Sequence, residues 1–173
     1  ISVYEKRDYA GKSPNKAVLG NRTRIIIDSR DKVEKIIEFL IPKESGLGNI
    51  PIQVIIFKNE VPHNEFIKNK SIIFTQNGQV HGSEGQSFIS QSLGFSLIKQ
   101  YTLIHVDCTE IPTEIRQDLF MSNRTHLKQG PKTEKLIDEI TDLLKRNKEL
   151  KTLNNDRKNS LLRDSNSDKD LLE

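Results

Sequence analysis

Two residues, Asn77-Gly78, constrain this chain more than any others. They separate the strand-like run Ser71-Ile-Ile-Phe-Thr-Gln76 from Gln79-Val-His-Gly82. Asn-Gly between two such runs is the strongest short-range hairpin signal, because both residues of the favoured two-residue turn need positive φ. A hairpin here sets the register of both arms and commits the fold to a sheet containing antiparallel strands. The Asn77-Gly78-Gln79 triplet could also present amide side chains to a ligand or a neighbouring domain, but a plain hairpin turn is its commoner use.

Around the hairpin the sequence alternates strand and helix signals. Ala17 to Asp28 contains Arg24-Ile-Ile-Ile-Asp28, a β-branched run of strand type. Ser29 then reads as an N-cap, with Val33, Ile36, Ile37 and Leu40 at helical spacing and Pro42 as the stop, which predicts a helix. After the loop Lys43–Asn49, Ile50-Pro-Ile-Gln-Val-Ile-Ile-Phe57 is the most strand-like run in the chain, with Pro51 at its start. Lys58 to Lys70 reads as an exposed connection. Glu84 to Leu93 predicts a helix with Phe88, Ile89 and Leu93 along one face and Gly94 as its stop. A strand follows over Tyr101–Asp107, then a helix over Thr113–Met121 with Ile115, Leu119 and Phe120 on its apolar side.

The longest helix runs from Pro131 to Arg146, with Leu136, Ile137, Ile140, Leu143 and Leu144 forming its buried stripe. Residues 147–173 hold six basic and six acidic residues and few bulky apolar ones, and read as a helix fraying into disorder. Residues 1–16 lack a sustained period and read as a linker or arm. The organisation predicted is therefore an arm (1–16), one α+β domain (17–146) with a mixed sheet covered by helices mainly on one face, and a helical to disordered tail (147–173). A doubly wound parallel fold is the runner-up.

A chain of 173 residues can bury roughly 70% of its unfolded surface, enough for a core without staples. Lys and Arg total 27 against 24 Asp and Glu; the net charge of +3 is too small to imply a nucleic-acid or membrane partner by itself. Any anion binding must come from local clustering. The single cysteine, Cys108, excludes an intrachain disulfide and a multi-cysteine zinc site, and fits a reducing compartment. With no membrane span and no signal-peptide core, the chain reads as cytoplasmic. Its start at Ile1 instead of Met points to a piece of a longer protein. The sequons at Asn21, Asn69 and Asn123 matter only in a secreted protein.

The cluster of interest is the bend Ser122-Asn-Arg-Thr-His-Leu-Lys-Gln-Gly130. Arg124 offers a planar fork of donors and Lys128 a compact charge, and the bend runs into the start of the last long helix, where free backbone N–H groups favour an anion. The bland alternative, a solvated loop, is the commoner use of such a segment. His63, His81, His105 and His126 show no i, i+4 pair, so no metal site is expected. Cys108 after a strand reads as packing rather than as a nucleophile, since no base or orienting group is local to it.

Ile72-Ile-Phe-Thr-Gln-Asn-Gly-Gln79, Leu103-Ile-His-Val-Asp-Cys108, Asp118-Leu-Phe-Met-Ser122 and Leu143-Leu-Lys-Arg-Asn147, in that order, resemble the region after the ATP-binding domain in bacterial GHKL-class ATPases, the MORC-like proteins above all. The resemblance covers roughly residues 50–160. It implies a transducer-like domain, with the ribosomal-protein-like fold seen in type II topoisomerase B subunits and MutL proteins. In those proteins a basic residue on a loop before a long helix reaches the γ-phosphate of ATP. The similar position here holds Asn123, Arg124 and Thr125, with Lys128 close behind; the Gln-Thr-Lys triplet of the topoisomerases is absent. Arg124 is favoured over Lys128 as the phosphate sensor, with Asn123 beside it.

The class's ATP-binding motifs do not occur in these residues, so ATP and Mg would enter only through a separate N-terminal ATPase domain. The chain alone is then expected to have no catalytic residues and to be no enzyme. That ATPase domain is the implied partner, and a homodimer remains open. A different reading is a non-enzymatic nucleic-acid or protein-binding module using Arg22, Arg24 and the basic bend. The low aromatic content, 6% with no Trp, gives that reading no evident base-stacking platform.

Overall fold

Five strands form one mixed sheet in the computed structural model, which describes Ile25, residues 29–59 and residues 70–170, the side chains from 164 onward excepted. The strands are β1 (Val33–Ile41), β2 (Ile50–Phe57), β3 (Lys70–Gln76), β4 (Gln79–Gly85) and β5 (Thr102–Asp107). Their order is β1-β2-β5-β3-β4, with β3 and β5 parallel and the other neighbours antiparallel. Three α-helices follow the sheet: α1 (Thr113–Leu119), α2 (Pro131–Arg146) and α3 (Lys148–Asp170). The fold is α+β with a mixed five-stranded sheet, as expected from the hairpin and the interspersed helices. The arm, most of the Lys58–Lys70 connection and the Arg24–Asp28 run other than Ile25 lie outside the described residues. Ile25 is helical and fully buried, where the sequence points to a strand.

The sheet buries both faces unequally. One face carries Ile50, Ile52, Val54 and Ile56 of β2, Ile72 and Phe74 of β3, and Ile104 and Val106 of β5 into the larger core. Against it pack Phe88 and Ile89 of a π-helical turn (Phe88–Ser92), Leu119 of α1, Leu136, Ile140 and Leu144 of α2, and Leu150 of α3. In α2 these residues are spaced by four, so they stand above one another on one face. Burying each leucine or isoleucine is worth about 2 kcal/mol. The other face holds a smaller core of Val33, Ile55, Phe57, Leu103 and Ile25.

The helix predicted after Ser29 is instead the edge strand β1. Ser29 precedes a short 3-10 turn (Arg30–Lys32) and makes no side-chain cap. The misleading spacing has a physical origin in a β-bulge. Val33 pairs with Phe57 and Lys35 with Ile56, leaving Glu34 as an extra residue. A bulge shifts the two-residue alternation by one, so Val33 and Ile36 face the same side, a three-residue interval that imitates a helix. Ile37, Phe39 and Ile41 then face the larger core opposite Val54, Ile52 and Ile50, while Leu40 stays 54% exposed.

The hairpin forms as expected, with Asn77 at φ 48° and Gly78 at φ 77°, both in the left-handed region. Thr109 steadies the turn by accepting the Asn77 backbone N–H. The predicted helix at Glu84 begins later, because Glu84 and Gly85 continue β4 and pair with Ile72 and Lys70. The helix expected to reach Met121 stops at Leu119. Beyond Arg146 the chain continues as α3, whose Arg157 is only 7% exposed. Arg157 Nη2 donates to Glu34 Oε2 (2.6 Å) and to the Phe57 carbonyl (2.7 Å), and its guanidinium lies 4.6 Å from the Tyr101 ring centroid. The bulge at Glu34 is thus also where α3 is fastened to the sheet.

Cys108 is fully buried and free, at the end of β5. Burial, reinforced by the neighbouring Asp107, pushes its thiol far above the usual range, so it stays protonated. Native protein should therefore react with a thiol reagent at least about 100-fold more slowly than unfolded protein. A native rate near that of a free thiol would overturn the packing role. Among the described residues no helix is long and apolar enough to cross a membrane.

Candidate functional site

The basic bend is pinned at both ends and open in the middle. Phe120 and Leu127 form a bridge between antiparallel segments, and the Lys128 N–H donates to the Leu119 carbonyl at 2.8 Å. Leu127, 8% exposed, lies against β4 where a Cβ added to Gly82 would be 3.2 Å from it. Any larger residue there would push Leu127 back by a few tenths of an ångström. Asn123 shapes the turn: its Oδ1 accepts from the Thr125 N–H (3.2 Å) and the Thr125 hydroxyl (2.9 Å). Arg124 follows at φ 57°, and its N–H donates to the Met121 carbonyl.

This geometry brings Arg124 and Lys128 to one open depression of about 570 Å³, which His81, Gln117, Phe120, Met121 and Ser122 also line. Both cations are held by neutral oxygen: Arg124 Nη1 donates to Gln79 Oε1 (2.8 Å) and Lys128 Nζ to the Gln117 carbonyl (2.7 Å). Among the described residues no carboxylate lines the depression. The two positive charges therefore stand unneutralised on a surface that also offers a hydroxyl and the apolar groups of Phe120 and Met121.

The helix start contributes less than expected. Lining residues come from the bend, β4 and α1, not from the first turn of α2. That first turn instead borders a separate shallow hollow lined by Pro131, Glu134, Lys135, Asp138, Glu139 and Asp142. Packing of Leu127 on Gly82 draws the bend toward the hairpin, and a carboxylate-rich surface lies beside the helix start. Of the three sequence-predicted residues, Arg124 and Lys128 are brought together, while Asn123 is occupied in building the turn.

His81 is the residue that sequence reasoning missed. The sequence offers it only as a metal ligand, and among the described residues no group of three or more His, Cys, Asp or Glu could hold a metal. It sits at a second bulge: Phe74 pairs with Gly82 and Thr75 with Val80, leaving His81 as the extra residue on β4. Bulges re-aim side chains. The His81 ring meets Phe120 edge-on, with centroids 5.7 Å apart. Desolvation, with the nearby Arg124 charge adding to it, holds its pKa below the ordinary imidazole value. The neutral ring is thus favoured beside the guanidinium. The only sequence hint was its position two residues after Gln79, and that becomes meaningful only once the bend folds over the hairpin.

Arg124 adopts a backbone conformation that costs a side-chain-bearing residue about 1 kcal/mol. Its hydrogen bond to Gln79 is exposed and offsets little of this. Arg124→Gly should therefore be as stable as the parent or up to about 1 kcal/mol more stable by chemical denaturation. A loss above that size would mean that the guanidinium holds the fold together.

A scan against protein families, a search of curated proteins and a search of solved structures find no match for this chain.

Proposed function

We propose that this chain is the transducer-like part of a GHKL-type ATPase, and that its basic bend touches the phosphates of ATP held by a separate ATP-binding domain. The observation that carries the proposal is the pairing of Arg124 and Lys128 on one open depression with no carboxylate among its lining residues. A cation meant only to stabilise the fold would gain most from a carboxylate partner, whereas these two are held by neutral groups that leave their charge available. Arg124 is the sensor: it stands at the tip of the bend, with its backbone in a costly conformation. Lys128, at the rim, adds a second charge. The α+β sheet with α2 rising directly after the bend is consistent with a ribosomal-protein-like transducer fold.

A positive charge that arrives when two domains close stabilises charge developing on the transferred phosphoryl group. Domain closure then makes hydrolysis a conformational signal, which α2 and α3 are placed to carry away from the bend. The test is to mix this chain with the ATP-binding domain of its own gene product and to measure ATP turnover. The chain should raise turnover, and the Arg124→Gly chain should not. Equal stimulation by both would overturn the role given to Arg124.

A further inference from the structure

Resting on that anion-binding reading, we propose that His81 is the third ligand of the depression and joins it only when protonated, so that a bound dianion, a terminal phosphoryl group, is held together with a proton taken from solvent. His81 lines the same depression as Arg124 and Lys128, although it comes from a different element. It is the extra residue of the β4 bulge, and its edge-on contact with Phe120 fixes the ring against the start of the bend. Two residues earlier on the same strand, Gln79 holds Arg124, so this stretch of β4 faces the bend.

The charges around the ring set the direction of the effect. The bend contributes Arg124 and Lys128, α1 contributes the neutral Gln117, and the residues of β3 opposite the bulge are the uncharged Phe74 and Thr75. Burial first, and the Arg124 charge after it, lower the His81 pKa and so favour the neutral ring. A bound dianion reverses that balance. It offsets the guanidinium and accepts a charge-assisted hydrogen bond from the imidazolium, whose two nitrogens both donate. The bound state therefore has the higher histidine pKa, and by linkage affinity rises as pH falls through it. The site would hold its anion less tightly on alkalinisation.

Sulfate is the suitable probe, because it remains a dianion throughout this range and adds no titration of its own. Sulfate should bind about tenfold more tightly near pH 5 than near pH 8, since each pKa unit gained by His81 on binding is a factor of ten. Calorimetry in buffers of different ionisation enthalpy should show proton uptake, and the His81 ring followed by NMR should titrate at higher pH with sulfate than without. The His81→Gln chain should keep the weaker binding seen near pH 8 and lose the pH dependence. Sulfate binding with an unmoved His81 titration overturns the role of His81 and leaves the cationic site standing. No sulfate binding at either pH overturns both the role of His81 and the anion-binding reading beneath it.

Discussion

Arg124→Gly should lower the ATP turnover that this chain induces in its ATP-binding domain by about 10²–10³-fold, the usual cost of removing one positioned donor to a developing anion. Glycine is the informative replacement, because it relieves the left-handed backbone at φ 57° while removing the guanidinium. Alanine would retain that strain and confuse a misfolded bend with a missing charge. Lys128→Gln should cost less, about tenfold, because an ammonium held by the Gln117 carbonyl supplies charge without the planar fork. A Lys128 loss larger than the Arg124 loss would exchange their roles. Stimulation unchanged in both would end the phosphate-sensor reading, whatever the fold.

Arg157→Ala should destabilise the folded chain by about 3 kcal/mol, the lower part of the range for breaking a buried ion pair from one side. The lower part applies because Glu34 is 36% exposed and can regain water when its partner is gone. What cannot be regained cheaply is the donor to the Phe57 carbonyl and the cation lying over Tyr101. The contrast is the Lys35–Glu149 pair at 2.6 Å, whose side chains are both about half exposed. Lys35→Ala should cost under about 0.5 kcal/mol, as exposed pairs do. Urea denaturation at neutral pH measures both variants. An Arg157→Ala chain within about 0.5 kcal/mol of the parent would mean that α3 is not fastened to the sheet through this side chain.

Where local chemistry alone decides the backbone, the sequence was legible. Asn77-Gly78 predicts the hairpin because few residue pairs tolerate positive φ twice in succession. Pro131 and the four-residue spacing of Leu136, Ile140 and Leu144 place α2 at its observed limits. The run Ile50–Phe57 reads as a buried strand, as it is, because apolar residues on both faces suit a central position. The cationic bend was legible as a cluster, since Arg124 and Lys128 are near each other in the chain.

Only the tertiary structure decided the rest. Val33, Ile36, Ile37 and Leu40 fit a helix as well as a bulged strand, and pairing with β2 selects the strand. His81 belongs to the depression because the bend folds over the hairpin, with Leu127 against Gly82. Arg157, in a tail whose composition reads as a helix fraying into disorder, is buried because Glu34 and Phe57, a hundred or more positions earlier, supply its partners. Periodicity and turn chemistry are local properties that a chain carries with it. A bulge, a buried cation and the company a histidine keeps depend on contacts between distant segments, and no local pattern encodes those.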